Sequence, residues 1–372
     1  MSTTGVVSLL ECLGEIDDPR KPSNGTLHDL QEMLVIAICA TLSNVDNFDD
    51  IAFWARSKEA WLRRFLVLKH GIPSQWTFLR IFGLLDPRQF ETVFRRWVSG
   101  TVTALSGTIA IDGKTLRGSA AGGKQAIHMV SAVATDLGIV LGQEKVSGKS
   151  NEITAIPELI DALYLKGHLV SIDAMGCQKD IAAGIVKKKG DYLLAVKGNQ
   201  PSLLRQVESA FIDAAEALPG HERIDSTHGR LVVQQSRVLQ AKGIVDPVAW
   251  PKCKTIGVID SLRKIGSKTS DIERRYYISS RELSAEDFAL AVRSHWVIEN
   301  RLHWVLDVNF GEDASTVRKD NAPQNFSLLK KIALNVIRLD KTDTTKCSLR
   351  KKRLLASWND EVRMSMLGIQ PL

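Results

Sequence analysis

The chain has 372 residues, of which 44% are hydrophobic and 24% charged, a balance that excludes a disordered polymer and leaves room for a catalytic core with an accessory domain. Its net charge of +7 and pI near 9.1 are too modest to argue for a polyanion partner on their own. Five cysteines, odd in number and without a C-x-x-C pair, exclude a disulfide framework and a zinc ribbon; with no leader-like N-terminus and no membrane-length apolar run, the expectation is a soluble, cytoplasmic protein.

From Leu27 to about Val98 the periodicity is helical. Leu30, Leu34, Ala37, Ile38 and Thr41 share one stripe, and Ile51, Trp54, Ala55 and Trp61 another, with Asn44 to Asp50 capping between them. Gly71-Ile72-Pro73-Ser74 breaks the chain before a helix over 75–84, and Asp86-Pro87 starts the next. This predicts an all-helical domain over residues 1–105, with Trp54, Trp61, Trp76 and Trp97 as packing residues; a helix-turn-helix fits, but nothing in the spacing requires one.

After Ser106-Gly107 the period becomes strand-like. Strands are expected over Thr108–Asp112, Ala126–Thr135, Gly138–Val146, His168–Asp173 and Tyr192–Val196, and helices over Asn151–Leu165 and Gln178–Lys188. The order β-β-β-α-β-α-β is that of a ribonuclease H-like (retroviral integrase-like) α/β core, a mixed sheet flanked by helices and lacking only its last helix. Asn199-Gln200-Pro201 opens a helix to about Ala217. Alternation over Leu231–Leu239, Lys254–Asp260 and Arg274–Ser279 then gives a β-rich insertion, about 220–282. Ser284-Ala285-Glu286-Asp287 begins the delayed helix, whose apolar run continues through Leu306. The core is expected over 106–340, and a basic helical tail carrying Arg350-Lys351-Lys352-Arg353 over 341–372.

The chemistry follows from this topology. The first and fourth strands are expected side by side and parallel, so Asp112 and Asp173 project from one sheet edge. Two neighbouring carboxylates repel unless a cation lies between them, and Mg²⁺ prefers such hard oxygen donors. A third acid from a packed helix would complete a two-ion site for cutting and joining phosphodiesters. Glu299 is the best candidate, Glu152 is a rival, and Asp307, Glu312 and Asp313 are within reach. His295, Glu299, His303 and Asp307 recur at steps of four near one helix face, without the H-E-x-x-H spacing of helical zinc sites. The histidines are expected to meet a phosphate or a catalytic carboxylate, or to be satisfied in packing. Lys114 and Arg117 in Gly113–Ser119, and Lys197, Asn199 and Gln200 after the fifth strand, read as phosphate anchors; neither segment matches a Walker A loop.

At these residues the sequence resembles bacterial insertion-sequence DDE transposases of the ISAs type, related to the H-repeat-associated proteins. The stretches that carry the resemblance are Ile111–Ser119, Lys149-Ser150-Asn151-Glu152-Ile153, Ile172–Gln178, Tyr192–Gln200 and His295–Asp313. It implies Asp112, Asp173 and Glu299 as catalytic and metal-binding triad, with Mg²⁺ as cofactor and Mn²⁺ as substitute. The implied partners are the element's terminal inverted repeats and target DNA, engaged by a homodimer associated with the nucleoid. His295, Trp296 and His303 join the expected DNA contacts, and Trp296 and Trp304 either stack on a base or pack between helices. Related families carry Tyr-x2-Arg-x3-Glu-x6-Lys around the Glu, where this chain has Val292, His295 and Leu306. The alternatives are a nuclease on the same fold without strand transfer, and an inactive DNA-binding remnant.

Overall fold

A computed structural model describes residues 8–23, 26–102, 107–120, 123, 125–147, 151–214, 218–227, 230–265, 268–341 and 347–369. Ser106, Lys149, Ser150 and the expected helix end at Ala217 lie outside the described residues. The chain opens with helices α1 (Leu9–Leu13), α2 (Leu30–Leu42), α3 (Phe48–Ser57), α4 (Glu59–Leu62), α5 (Gln75–Leu84) and α6 (Pro87–Thr101). Their starts follow the sequence: Asp29, Asn47, Ser74 and Asp86 each accept a backbone N–H as N-cap, and Pro87 occupies the first turn. Trp61 and Trp97 pack inside as expected. Trp76 does not: Phe78, Ile81 and Phe82 take the inner face of α5 and leave it 69% exposed.

One mixed sheet follows, from strands β1 (Thr108–Leu116), β2 (Ile127–Ala134), β3 (Ile139–Lys145), β4 (Leu169–Ile172), β5 (Asp191–Val196), β6 (His221–Thr227), β7 (Arg230–Gln240), β8 (Thr255–Ile265), β9 (Lys268–Thr269) and β10 (Glu273–Ser279). The order is β3-β2-β1-β4-β5-β10-β8-β7-β6, with β9 beside β8. β1, β4 and β5 are parallel, as the expected crossovers require, and β2 and β3 are antiparallel hairpin strands. The segment read as an insertion adds its strands to this same sheet, because β10 pairs antiparallel with β5.

The sheet alternates between two buried faces. Ile109, Ile111, Val170, Ile172 and Leu194 point toward α7 (Glu152–Ala162) and α8 (Lys179–Lys187). Leu169, Leu193, Ile259 and Tyr277 meet Phe288, Ala291 and Val292 of α10 (Ala285–Val297) on the other face. Helix α9 (Pro201–Asp213) leads from β5 into the later strands. After α10 the helix continues through a π-helical turn, Ile298–His303, into α11 (Trp304–Phe310), and ends at Gly311 with φ of 55°. The sequence pattern did not reveal that turn.

Nor did it reveal α12 (Ala322–Leu339), buried without a break from Ala322 to Ile337. This helix packs against α2, α5 and α6 on one side and β3 on the other. Its buried amides make the joints: Asn325 Nδ2 donates to Phe82 O and Leu85 O, both at 2.9 Å, and Asn335 exchanges hydrogen bonds with the Val140 backbone. Helices α13 (Leu349–Trp358) and α14 (Asp360–Leu367) close the chain. The basic run is not wholly solvated: Arg353 is buried, donating to Thr41 O and to Asp46 at 2.6 Å. Among the described residues no helix is long and apolar enough to cross a membrane.

Candidate active site

Register, rather than proximity in sequence, brings the first two acids together. Ile111 pairs with Ile172 in the parallel β1–β4 ladder, so the next residue on each strand, Asp112 and Asp173, leaves the ladder at the same level. The sequence placed Asp112 at a strand end; in the structure β1 runs on to Leu116, held by β2 through pairs such as Gly113 with Val130 and Lys114 with Met129. Asp112 therefore sits on a rigid strand at the point where β1 and β4 part. Asp173 starts a turn, and its Oδ1 accepts the N–H groups of Met175 and Gly176.

Glu299 reaches this edge from the π-helical turn, a local geometry that recurs at functional sites because one extra residue re-aims a side chain. Ligand atoms of Asp112, Glu299 and His303 lie within 4.8 Å of one another. His303 Nδ1 is 3.0 Å from Glu299 Oε2 and 3.7 Å from Asp112 Oδ2. Asp112, Asp173 and Glu299 line a single cavity of about 400 Å³ together with Lys197, Arg274, Arg275, His295 and Trp296.

The electrostatics fit a cation. Burial, together with the charges of Asp173, Glu152 and Glu299, pushes the Asp112 carboxyl up to about 7, so its ionised form lacks compensation from the protein alone. Burial lowers His303 and His295 below the usual histidine value against the pull of neighbouring acids, which leaves both imidazoles neutral near pH 7. Two carboxylates and an imidazole within reach of one point could hold a divalent cation.

Glu152 lies elsewhere. Its Oε1 is 2.6 Å from His128 Nε2, and His128 Nδ1 is 2.8 Å from Thr115 Oγ1. A Cβ at residue 113 would collide with Glu152 Oε1 and His128 Nε2, so glycine there makes room for the pair. Gly113 alternates with Asp112 along β1, which puts this pair on the opposite side of the strand from the Glu299 helix.

The expected DNA contacts separate into groups. Lys197 faces the cavity, and Arg117 is 81% exposed, with Asp313 at 3.5 Å. Trp296 is half exposed beneath the Arg275 guanidinium, 5.4 Å from its ring centre. His295 Nδ1 is 3.0 Å from Ser171 Oγ on β4. Asn199 and Gln200 turn inward: Asn199 Nδ2 donates to Ala174 O at 2.7 Å, and Gln200 Nε2 to Cys177 O at 2.9 Å, clamping the turn that Asp173 begins. Lys114 is bonded to three carboxylates and His303 is buried among the acids. The sequence reading missed Arg274 and Arg275; the signal was the paired arginines before Tyr276 on a strand whose partner, β5, ends at Val196, just before Lys197.

Residues 104–336 match the family described as "Transposase DDE domain", and residues 10–98 match "DDE_Tnp_1-associated". The chain is 40% identical to "Putative transposase YncI" of Escherichia coli O157:H7, over 90% of this chain and 88% of that protein. It is 38% identical to "H repeat-associated putative transposase YhhI" of Escherichia coli strain K12, over 92% of this chain and 93% of that protein. Among solved structures, a piggyBac transposase synaptic complex with hairpin DNA overlays with a TM-score of 0.46 at 10% identity, over 96% of this chain and 76% of that one. On the family match and the two relatives, the chain belongs to the DDE transposase family.

Proposed function

We propose that this protein is an insertion-sequence transposase that binds its element's terminal inverted repeats as a dimer and performs DNA cleavage and strand transfer with Asp112, Asp173 and Glu299. The observation that carries this reading is the convergence of the three acids on one cavity, two from adjacent parallel strands and one from the helix packed over them. On this reading the sheet with its flanking helices is a ribonuclease H-like core, residues 106–340, and residues 1–105 form a DNA-binding helical domain.

Mg²⁺, with Mn²⁺ as substitute, held by Asp112, Asp173 and Glu299, would supply Lewis acidity toward the scissile phosphate and its nucleophile. The protein's own part is to fix three carboxylates and the path of the DNA. Lys197 offers the backbone a cation at the cavity, Arg274 and Arg275 lie across it paired with Asp260 and Glu273, and Arg117 adds an exposed cation beyond it. His303 holds Glu299 toward Asp112, while Asn199 and Gln200 hold the Asp173 turn. In cleavage a water oxygen bonds to phosphorus as the 3′ oxygen leaves and takes a proton; in transfer that 3′-hydroxyl attacks a target phosphate and displaces another 3′ oxygen.

Purified protein incubated with DNA carrying the element ends and Mg²⁺ is expected to nick at the ends and join them to a second duplex. Asp112→Asn and Asp173→Asn are each expected to lower both rates by about 10²-fold or more while end binding persists. Cleavage without joined products would make the protein a nuclease, and undiminished activity in either variant would remove the triad.

A further inference from the structure

The residues after Asp112 hold a second arrangement, built for holding protein to protein. Lys114 lies two residues beyond Asp112 on β1 and so shares its face. Its Nζ is 2.5 Å from Asp307 Oδ1, 3.0 Å from Glu312 Oε2 and 3.0 Å from Asp313 Oδ1, and its side chain is only 12% exposed. Asp307 belongs to α11, directly after the turn that carries Glu299; Glu312 and Asp313 follow Gly311, whose left-handed backbone folds the chain back toward β1.

The surrounding contacts reinforce the same joint. Arg318 Nε donates to Gly118 O at 3.1 Å, and a Cβ at Gly118 would collide with the Ser315 carbonyl oxygen, so the segment after Asp112 and the segment after α11 lie backbone against backbone. Glu312 is fixed from behind, accepting from Ser327 Oγ at 2.8 Å, and Ser327 accepts from Lys331.

A π-helical turn is a rare departure from the α-helix and persists where the surrounding structure fixes both flanks. One flank here is α10, seated on the sheet through Phe288, Ala291 and Val292. The other is the Lys114 joint.

Resting on the transposase reading above, we infer that Lys114 is a positioning residue whose ion pairs with Asp307, Glu312 and Asp313 lock the π-helical turn so that Glu299 faces Asp112 as a metal ligand. Its role is in metal affinity and not in DNA affinity. This separates it from Lys197, which faces the cavity, and from Arg117, which is 81% exposed beside Asp313.

The test measures Mn²⁺ binding directly by electron paramagnetic resonance, on full-length protein without DNA, alongside end-DNA affinity across a salt series. Lys114→Gln is expected to weaken Mn²⁺ binding by about tenfold, the size seen when groups that orient metal ligands are removed. DNA affinity and its salt slope are expected to stay at wild-type values. Asp307→Asn, which removes one partly exposed arm without leaving a buried charge unpaired, is expected to weaken Mn²⁺ in the same direction and serves where Lys114→Gln fails to fold. Lys114→Arg, which keeps the charge, is expected to recover part of the loss. Unchanged Mn²⁺ affinity in a folded Lys114→Gln or Asp307→Asn protein overturns the inference. So does a Lys114→Gln salt slope shallower by about one unit, the mark of a lost phosphate contact. Failure of the wild-type protein to bind Mn²⁺ or to cut would instead overturn the transposase reading.

Discussion

At the scale of single residues, the most exacting placements are charged groups away from water. Glu91 on α6 is buried, with Arg95 at 3.8 Å and Lys331 of α12 acting on it through space. Burial pushes Glu91 up to about 8, against an ordinary value of 4.5, and pushes Lys331 down. Because the folded value lies above the unfolded one, the protonated carboxyl is the form the fold prefers. Its contribution is fully present below about pH 4.5 and is lost as pH rises through 8. Glu91→Gln is therefore expected to flatten the fall in melting temperature between pH 6 and pH 9 by roughly 2 °C or more. Thermal melts at three pH values check this, and an equally steep fall in the variant counts against it. Such a residue cannot be found from sequence: Glu91 occupies a helix that reads as amphipathic, and only the burial of α12 against it removes its water.

At the scale of elements, the sequence carried what local periodicity carries. The strand order and the pairing of Asp112 with Asp173 were legible because short apolar runs separated by helices leave few sheet topologies. Glu299 was legible only as one of several acids, since choosing it over Glu152 depends on which side of β1 each helix packs. Lys114, Asn199 and Gln200 looked like phosphate anchors because cations and amides after a strand are often exposed; the inward turn of all three comes from partners 20 to 200 residues away. The π-helical turn left no pattern, because its extra residue is set by where the flanking segments are anchored. Deleting Asn300, an exposed residue inside that turn, is expected to restore an α-helical turn between the anchored flanks and re-aim Glu299 away from Asp112. Cleavage is then expected to fall by about 10²-fold or more with little change in circular dichroism. Full activity in the deletion would show that the turn's geometry is dispensable.

At the scale of the whole molecule, α12 packs against both the N-terminal helices and the sheet and so joins them. Its apolar residues touch α2 and α5 as well as β3, and its buried asparagines bond to backbone on both sides. A chain lacking residues 1–102 would expose that helix and leave Asn325 without its acceptors, a cost of roughly 1–3 kcal/mol for each stranded polar group beside a large loss of apolar burial. Calorimetry of the full chain is expected to give a single transition, and the truncated chain is expected to aggregate. Two resolved transitions, or a soluble folded truncation, would show two independent units. This dependence was not visible in sequence because α12 reads as an amphipathic helix with a solvated polar face, whereas Gln324, Asn325, Lys330, Lys331 and Asn335 are all buried within it.

The late position of α12 also has a consequence for synthesis. On the ribosome, the first six helices emerge some 240 residues before the helix that covers them, and domains otherwise tend to fold from the N-terminus as they appear. Asp112 and Asp173 likewise emerge well before Glu299. A nascent or prematurely terminated chain thus carries Asp112 and Asp173 without the element that brings Glu299 to them, so on the transposase reading proposed above the cutting site is completed only after the helices beyond Ser284 have been made.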